Sequence, residues 1–362
     1  MTSDLNILPL DSWLSSEKEP LIIAGPCSAE TEIQVMETAL ALANIPNVKV
    51  FRAGIWKPRT RPKLFEGVGS IGLQWLKRVK EETGLLTTVE VATPEHVEEC
   101  LKNNIDILWI GARTAVNPFS VQEIADSLKG VDIPVIIKNP VNPDVQLWLG
   151  VIERFYQAGI NKIIAVHRGF YDFENSPYRN APIWEIPIEL KRLCPQVPIF
   201  CDPSHIAGRT DLLSEISQKA LDLEMSGLMI ETHCNPAKAL TDAKQQLTPA
   251  QLNDLIGHLV LRKSTGNIEF QNKLEELRSE IDCIDKDLIN ILSKRMSVVE
   301  EIAKYKKEND ITILQIKRWT NIINNRLKEA ESKGLNQEFL LKLLQLVHKY
   351  SIQLQNEIIN KD

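Results

Sequence analysis

The chain has 362 residues, of which 43% are hydrophobic and 25% are charged, and its formal net charge is −6. This composition is typical of a globular protein, and its mild acidity argues against non-specific nucleic-acid binding, which needs a basic surface. The sequence contains no run of about 18 apolar residues, and its first residues lack the basic and apolar regions of a secretory signal. We therefore expect a cytoplasmic protein that binds neither nucleic acid nor membranes.

The six cysteines are scattered along the chain without any CxxC pair. A disulfide framework is therefore not expected. We expect one or two of the thiols to take part in chemistry and the others to be buried in the core.

A change in composition near residues 262–266 divides the chain. Every proline lies at or before Pro249, and only Gly334 follows Gly266. Since the chain also exceeds the size at which one hydrophobic core stops growing, two domains are expected. The predicted organisation is a first domain over 1–262, a linker over 263–268 and a helical domain over 269–362.

The first domain alternates short β-branched runs with helical patterns. The runs are LIIAG (21–25), VKVFRAG (48–54), LLTTVEV (85–91), ILWIGAR (107–113), PVIIKNP (134–140), KIIAVHRG (162–169), PIFCDPSH (198–205) and GLMIETH (227–233). Nearly continuous apolar runs are typical of parallel strands covered by helices. Eight such units in about 240 residues predict a (β/α)₈ barrel, and a doubly wound sheet is the alternative.

Cations lie at or after the ends of four of the eight predicted strands. In a (β/α)₈ barrel the carboxyl ends of the strands meet at one mouth, so these cations would repel one another unless anions lay between them. The substrates should therefore carry phosphate or carboxylate groups. The residues concerned are Arg52, Lys57, Arg59, Arg113, Lys138 and Arg168.

Four residues at the same mouth could hold a metal ion. Cys27, His205, Glu231 and Asp242 offer a thiolate, an imidazole and two carboxylates. This mixed set suits one divalent transition metal ion such as Mn²⁺, Fe²⁺, Co²⁺ or Zn²⁺. Taken singly, Cys27 could equally be a core thiol and His205 a helix cap, so the surrounding motifs decide between the two interpretations.

Seven ordered motifs in this part of the chain resemble those of 3-deoxy-D-arabino-heptulosonate 7-phosphate (DAHP) synthases. They are AGPCS (24–28), FRAGIWKPRT (51–60), IGAR (110–113), IKNP (137–140), HRG (167–169), DPSH (202–205), and IETH with ALTDAKQQL (230–233 and 239–247). The resemblance is to the compact type I-beta branch and covers about residues 15–262. It implies an aldol-type condensation of phosphoenolpyruvate with erythrose 4-phosphate.

The same resemblance implies a role for each site residue. The metal ligands would be Cys27, His205, Glu231 and Asp242. Phosphoenolpyruvate would be held by Arg52, Lys57, Arg113, Lys138 and Arg168, and erythrose 4-phosphate by Arg59 and Thr60. Lys57 is also the candidate for orienting or deprotonating the attacking water, and a simple ion-pair role is the alternative.

One departure and one rival enzyme bear on this assignment. RPKLFEG follows KPRT where the family more often has SPYSFQG, which affects the fine substrate geometry. The rival is another phosphoenolpyruvate-dependent sugar-phosphate synthase on the same barrel, such as an octulosonate 8-phosphate synthase. The KPRT segment argues against it, because those relatives usually have an Asn-containing segment there.

After the linker, apolar residues recur at steps of three and four from Phe270 to Ile302. This spacing predicts one long amphipathic helix. Two more helices are predicted over about 313–331 and 336–359, separated near Lys333–Gly334 by a C-cap.

Two cations, Arg295 and Lys306, continue this apolar stripe. They lie 11 residues apart, which places them on nearly the same face and about 16 Å apart along the axis. Two long side chains at this spacing could close on an organic dianion, although seam cations can also extend outward into solvent. Arg278 lies about 25 Å from Arg295 along the helix, so it could join such a site only from a second chain.

The pattern from LEELRSEID to YKK, followed by IKRW and SIQLQ, resembles the AroQ-type chorismate mutases over about 269–359. The resemblance implies a three-helix chain in an intertwined dimer that rearranges chorismate to prephenate without metal or nucleophile. Arg295, Lys306 and Gln355 would be the catalytic residues. The full pocket would be Arg278 from the partner chain, Arg295, Lys306, Arg318, Ser351 and Gln355.

Two residues depart from the mutase pattern. Gln315 stands where many mutases have Asp, and Trp319 where Glu is common. The alternative interpretation is therefore a non-catalytic domain for dimerisation and ligand sensing. We further hypothesise that prephenate or chorismate bound to this domain inhibits the barrel, which requires differential binding to two states.

Overall fold

Eight parallel strands close into a barrel in their order along the chain, which confirms the predicted (β/α)₈ architecture. The strands are β1 (Leu21–Gly25), β2 (Val48–Arg52), β3 (Leu86–Val91), β4 (Ile107–Ile110), β5 (Val135–Lys138), β6 (Ile163–His167), β7 (Ile199–Cys201) and β8 (Gly227–Glu231). The computed structural model describes residues 5–14, 19–57, 64–172, 176–263 and 266–361. Arg59 and Thr60, predicted to bind erythrose 4-phosphate, lie outside these ranges.

Six of the eight strands end two to four residues before the predicted runs do. In ILWIGAR, for example, β4 ends at Ile110, and Arg113 lies in the following loop. The physical reason is that a strand covered on both faces buries its side chains, so the polar residues of the mouth lie at the last strand position or in the loop that follows.

Helices follow the strands around the barrel. They are α1 (Glu32–Ala43), α2 (Ile71–Thr83), α3 (Pro94–Lys102), α4 (Pro118–Ser127), α5 (Val145–Gln157), α6 (Glu185–Leu193), α7 (Pro203–Ala207), α8 (Leu213–Asp222) and α9 (Pro249–His258). Several begin with a local signal that the sequence carries. The Asn117 side chain, for example, accepts from the main-chain N–H groups of Phe119 and Ser120 at the start of α4. Such caps satisfy N–H groups that have no partner within the helix.

The barrel has two layers of apolar core. Along β1, Ile22 and Ala24 belong to the layer between sheet and helices, whereas Ile23 belongs to the layer inside the barrel. This follows from the alternation of side chains along a strand. Trp109 and Phe200 fill the interior, so the barrel is closed by side chains and the chemistry is confined to its mouth.

The chain divides into two compact units, Met1–Ser264 and Thr265–Asp362. The second unit contains three helices, α10 (Ile268–Glu308), α11 (Ile316–Ser332) and α12 (Gln337–Ile359). Val299 and Ala303 are the residues of α10 that are buried, and α12 packs against this helix. Among the described residues, no helix of either unit combines the length and apolar character needed to cross a membrane.

Most of the predicted apolar stripe on α10 is uncovered within one chain. Leu277, Ile281, Ile284, Leu288 and Ile291 are each between 45% and 62% exposed. A contiguous apolar surface of this kind is typical of a protein interface.

Gly25, at the end of β1, permits the close approach of β2. Its φ is +144°, and a Cβ there would lie 2.1 Å from the carbonyl oxygen of Arg52. We predict that Gly25→Ala lowers the free energy of unfolding by about 2–5 kcal/mol, because it combines backbone strain with overpacking. Denaturant unfolding measures this. The control is Gly150→Ala within α5, where a Cβ meets no atom within 4 Å; equal losses in both variants would contradict the explanation.

Candidate active sites

The carboxyl ends of the barrel strands surround a cavity of about 460 Å³. Four of the predicted cations line it, namely Lys57, Arg113, Lys138 and Arg168. His205 and Asp242 line the same cavity. A larger cavity of about 730 Å³ borders Leu21 and Ser226 at the opposite end of the barrel and contains none of the predicted site residues. The chemistry therefore belongs to the smaller, cationic cavity.

The four predicted metal ligands lie close together. Cys27 Sγ and carboxylate oxygens of Glu231 and Asp242 lie within 4.8 Å of one another. His205 Nε2 lies 3.6 Å from Glu231 Oε1. The donor set of one sulfur, one nitrogen and carboxylate oxygens fits a divalent transition metal ion.

The electrostatics of Cys27 also fit a metal ligand. Its burial, with a smaller contribution from the negative charge of Glu231, raises the pKa of the thiol to about 12. Without a cation, the sulfur therefore holds its proton at neutral pH. A bound divalent cation would favour the thiolate, which is the form that coordinates metals.

Asp202, which the sequence analysis did not select, organises one wall of the site. Its side chain caps α7 by accepting from the main-chain N–H of His205 at 3.0 Å. Its Oδ2 lies 2.8 Å from both His205 Nδ1 and Lys138 Nζ. Burial alone would raise the pKa of Asp202, but His205 and Lys138 hold it well below its usual range. The signal was present in DPSH, where Asp precedes the predicted ligand.

The floor of the site pairs cations with an aromatic ring. Arg52 Nη2 lies 3.1 Å from Glu231 Oε1, and both side chains are buried. The Trp109 ring centre lies 5.0 Å from the Arg52 guanidinium and 5.8 Å from Lys138 Nζ. Arg52 Nε and Nη1 are buried without a hydrogen-bond partner among the described residues. Buried guanidinium donors without a hydrogen-bond partner are suited to binding an anion.

Lys57 lies beside the predicted metal ligands. Its Nζ donates to the Cys27 carbonyl oxygen at 3.0 Å and lies 3.3 Å from the Cys27 sulfur. Burial would lower the pKa of Lys57, but its interactions with the Cys27 sulfur and with the carboxyl groups of Glu90 and Glu231 raise it. The side chain is therefore a cation at neutral pH.

Arg168 is held by two asparagines. Its main-chain N–H donates to Asn139 Oδ1 at 2.6 Å, and its Nη1 donates to Asn180 Oδ1 at 2.8 Å. Burial lowers the pKa of Arg168 to about 10, which still leaves it charged at neutral pH. Arg113 lies on the exposed rim of the same cavity.

In the helical unit the structure brings together three of the predicted pocket residues. Arg295 Nη1 donates to Ser351 Oγ at 2.7 Å. Gln355 lies one turn later on α12, and its Nε2 donates to the Ser351 carbonyl oxygen at 3.2 Å. Gln355 Oε1 is buried without a hydrogen-bond partner in the described part of the chain.

The other predicted pocket residues have different surroundings. Lys306 Nζ donates to the Ile313 carbonyl oxygen at 2.5 Å. Arg318 is exposed, and Arg278 is also exposed and pairs only with Glu275 among the described residues, at 3.4 Å. Arg278 therefore does not reach the Arg295–Ser351–Gln355 group within one chain.

An aromatic pair takes the place of the expected polar residue at 319. The rings of Trp319 and His348 stack with their centres 3.9 Å apart. Burial, followed by the positive charges of Arg295 and Lys306, lowers the pKa of His348. The ring therefore lies near both cations, and no sequence motif had indicated this position. Gln315 precedes α11, where its side chain makes no capping hydrogen bond.

The matches to known protein families divide the chain into the same two parts, a barrel and a helical unit. Residues 12–263 match the family model described as the DAHP synthetase I family, and residues 277–356 match chorismate mutase type II. A phospho-2-dehydro-3-deoxyheptonate aldolase of Thermotoga maritima is 35% identical over 235 residues, which are 65% of this chain and 67% of that protein.

Each of the two parts of the chain also resembles a different known protein. A crystal structure of the Thermotoga maritima DAHP synthase superposes with a TM-score of 0.60 at 33% identity, covering 66% of this chain and 67% of that one. A bifunctional chorismate mutase/prephenate dehydratase of Buchnera aphidicola is 32% identical over 91 residues, which are 25% of this chain and 24% of that protein. The chain belongs to the DAHP synthetase I family and carries a chorismate mutase type II domain after its barrel.

Proposed function

We propose that the barrel condenses phosphoenolpyruvate with erythrose 4-phosphate to form DAHP and phosphate, and that the helical domain rearranges chorismate to prephenate. We assign the first activity to residues 1–262, a linker to 263–268 and the second activity to 269–362. The observation that carries the barrel assignment is the cluster of Cys27, Glu231 and Asp242 beside a cavity lined by four of the predicted cations. We place both activities in the cytoplasm.

DAHP synthases are typically metal-dependent, and the donor set described above fits that requirement. We assign Cys27, His205, Glu231 and Asp242 as the ligands of one divalent ion, Mn²⁺, Fe²⁺, Co²⁺ or Zn²⁺. When bound, such an ion supplies a Lewis acid that polarises the aldehyde oxygen of erythrose 4-phosphate.

The cations of the cavity would bind phosphoenolpyruvate through its phosphate and carboxylate. Lys138 is fixed by Asp202 and Arg168 by its two asparagines, so both are oriented before substrate arrives. Preorganised cations of this kind bring the reacting carbons together at low entropic cost. Arg52, Lys57 and Arg113 complete the set. Arg59 and Thr60 stay predictions for the second substrate.

In the reaction, C3 of phosphoenolpyruvate bonds to the aldehyde carbon, water adds at C2, and phosphate leaves by cleavage of its C–O bond. We propose that Lys57 orients that water. The raised pKa of Lys57 and its contacts with Cys27 favour a protonated lysine that donates a hydrogen bond over one that removes a proton.

We predict that Glu231→Ala lowers the rate of phosphate release from the two substrates by at least about 100-fold. Substitution of a residue that only hydrogen-bonds to a metal ligand already lowers metal affinity or activity by about 10–100-fold. EDTA should lower the rate of phosphate release by the unsubstituted protein to the same extent, and Mn²⁺ should restore this rate. Chorismate consumption, measured in the same samples, should not change. The exposed Glu224→Ala is the control. Full synthase turnover in EDTA would contradict the ligand assignment.

For the helical domain we propose a reaction that needs only binding groups. Arg295, Arg318 and Ser351 would hold the two carboxylates of chorismate in its compact conformer. Lys306 and Gln355 would donate to the ether oxygen, where negative charge develops. Gln355 Oε1 is buried and has no hydrogen-bond partner among the described residues, and Gln355 Nε2 donates to the Ser351 carbonyl oxygen. Both observations support a polar pocket at this place.

We propose that this pocket is completed by a second copy of the chain. The exposed apolar stripe of α10 needs a covering surface, and the three-helix unit supplies none for it. Arg278 lies about 25 Å along the helix from Arg295, so it could reach the pocket only from the partner. The protein would then be at least a dimer through its helical domain.

A subunit-mixing experiment tests this arrangement. Arg278→Ala and Arg295→Ala should each be almost inactive as mutases, because each removes a cation from every pocket. Unfolding and refolding the two variants together should restore about one quarter of the unsubstituted activity, since half the dimers are mixed and each has one intact pocket. Chorismate loss is the measurement. If verified mixed dimers recover no mutase activity, Arg278 does not contribute to the partner's pocket. If the unsubstituted protein has no mutase activity but still binds prephenate, the helical domain is a sensing domain instead.

We propose that prephenate or chorismate bound to the helical domain inhibits the barrel. Support comes from the fusion of two enzymes in one chain. Inhibition would require that the ligand bind more tightly to one of two states of the protein.

We predict that prephenate inhibits phosphate release by the unsubstituted full-length chain and that Arg295→Ala weakens this inhibition by about 5–150-fold in concentration, the range typical of coupling between sites. Uninhibited synthase turnover should stay the same, because Arg295 belongs to the other unit. Equal inhibition of both proteins would indicate that prephenate acts directly at the barrel.

A further inference from the structure

The loop after β8 contains two adjacent buried glutamines, Gln245 and Gln246, which we call the glutamine pair. They are 1% and 2% exposed. Buried amides are costly unless their groups are hydrogen-bonded. In this pair each side-chain oxygen and each side-chain nitrogen has a partner in the structure. These partners are the metal ligands themselves or groups that adjoin them.

Gln246 joins the main chains that carry two of the ligands. Its Oε1 accepts from the main-chain N–H of Cys27 at 3.0 Å, and its Nε2 donates to the carbonyl oxygen of Thr241 at 2.8 Å. Thr241 directly precedes Asp242. One side chain therefore fixes the separation between the loop after β1 and the loop after β8.

Gln245 connects the side chain of Glu231 with that of Asp242. Its Nε2 donates to Glu231 Oε2 at 2.7 Å, and its Oε1 accepts from Arg179 Nη1 at 2.7 Å. The same Arg179 nitrogen lies 3.1 Å from Asp242 Oδ1. Glu231 and Asp242 are thus connected through one glutamine and one arginine.

This network makes the two oxygens of Glu231 different. Oε2 is engaged by Gln245, whereas Oε1 lies 3.1 Å from Arg52 Nη2 and 3.6 Å from His205 Nε2. Asp242 has φ of +47°, a conformation that residues other than glycine rarely adopt unless their surroundings impose it. The contacts to Thr241 and Arg179 supply such surroundings.

We propose that the glutamine pair positions the metal ligands and that Gln245 restricts Glu231 to coordination through Oε1 alone. The inference rests on the proposed metal centre. It extends that proposal to two residues that do not touch the metal, and to the number of oxygens that Glu231 offers. Groups behind the ligands commonly fix ligand orientation in metalloproteins.

The test is Gln245→Met, which keeps the length of the side chain and removes both hydrogen bonds. The metal-free full-length protein is titrated with Co²⁺, and the thiolate-to-cobalt absorption in the near ultraviolet reports binding at Cys27. We expect the Co²⁺ affinity to fall by about 10–100-fold. The visible bands of bound Co²⁺ should also change, because Glu231 Oε2 becomes available as a second donor.

A matched control exists on the outer face of the barrel. Gln122, in α4, also joins an arginine and a carboxylate, accepting from Arg154 Nη1 at 2.8 Å and donating to Asp126 Oδ1 at 3.1 Å. Gln122→Met removes the same kind of bridge far from the predicted ligands. Its Co²⁺ affinity and spectrum should match those of the unsubstituted protein.

The outcomes separate the two proposals. If the unsubstituted protein shows no thiolate-to-cobalt absorption, the metal centre of the proposed function is wrong. If the absorption is present but Gln245→Met binds Co²⁺ with the affinity and spectrum of the unsubstituted protein, the positioning role of Gln245 is wrong. The role is also wrong if Gln245→Met and Gln122→Met lose Co²⁺ affinity equally. Should thermal melting show that metal-free Gln245→Met is unfolded, Gln245→Asn, whose shorter amide reaches only one partner, is judged by the same criteria.

Discussion

Two buried ion pairs, Arg52–Glu231 and Lys138–Asp202, set the geometry of the barrel's mouth. Removing four charges from water is costly, and the cost is recovered only when the partners are held in good hydrogen-bonding positions. Asp202 meets this condition by contacting both Lys138 and His205. The Trp109 ring lies below Arg52 and Lys138. The proposed substrate-binding cations and the proposed metal ligands are therefore parts of one electrostatic network.

The two sites achieve preorganisation in different ways. In the barrel, the proposed metal ligands come from the loop after β1, from α7, from the end of β8 and from the loop after β8. Buried hydrogen bonds between these segments fix their positions. In the helical unit, one turn of α12 aligns Ser351 and Gln355, and Arg295 reaches them from α10. The first site is formed by residues of one chain. The second lies on a unit that leaves an apolar surface and Arg278 exposed, which we propose a second chain covers and uses.

Local signals made much of the fold predictable. Continuous apolar runs such as Ile107–Ile110 identified strands, and the apolar spacing from Phe270 to Ile302 identified the long helix α10. The motif residues Cys27, Glu231 and Asp242 also proved to be neighbours. The sequence could not reveal that Asp202 pairs with Lys138 across 64 positions, or that Gln245 reaches Glu231 and Arg179. Such pairings depend on how strands close around the barrel, and local periodicity contains no information about that closure.

The exposed stripe of α10 also has a consequence for how the protein is made. The stripe follows the barrel in the chain, so all eight strands leave the ribosome before it does. The barrel can thus fold without an unpaired apolar helix beside it, and domains generally fold as units during synthesis, beginning with the N-terminal one. The exposed apolar surface therefore appears only after the barrel. In the proposed dimer, the time that this surface spends uncovered depends on the local concentration of newly made chains.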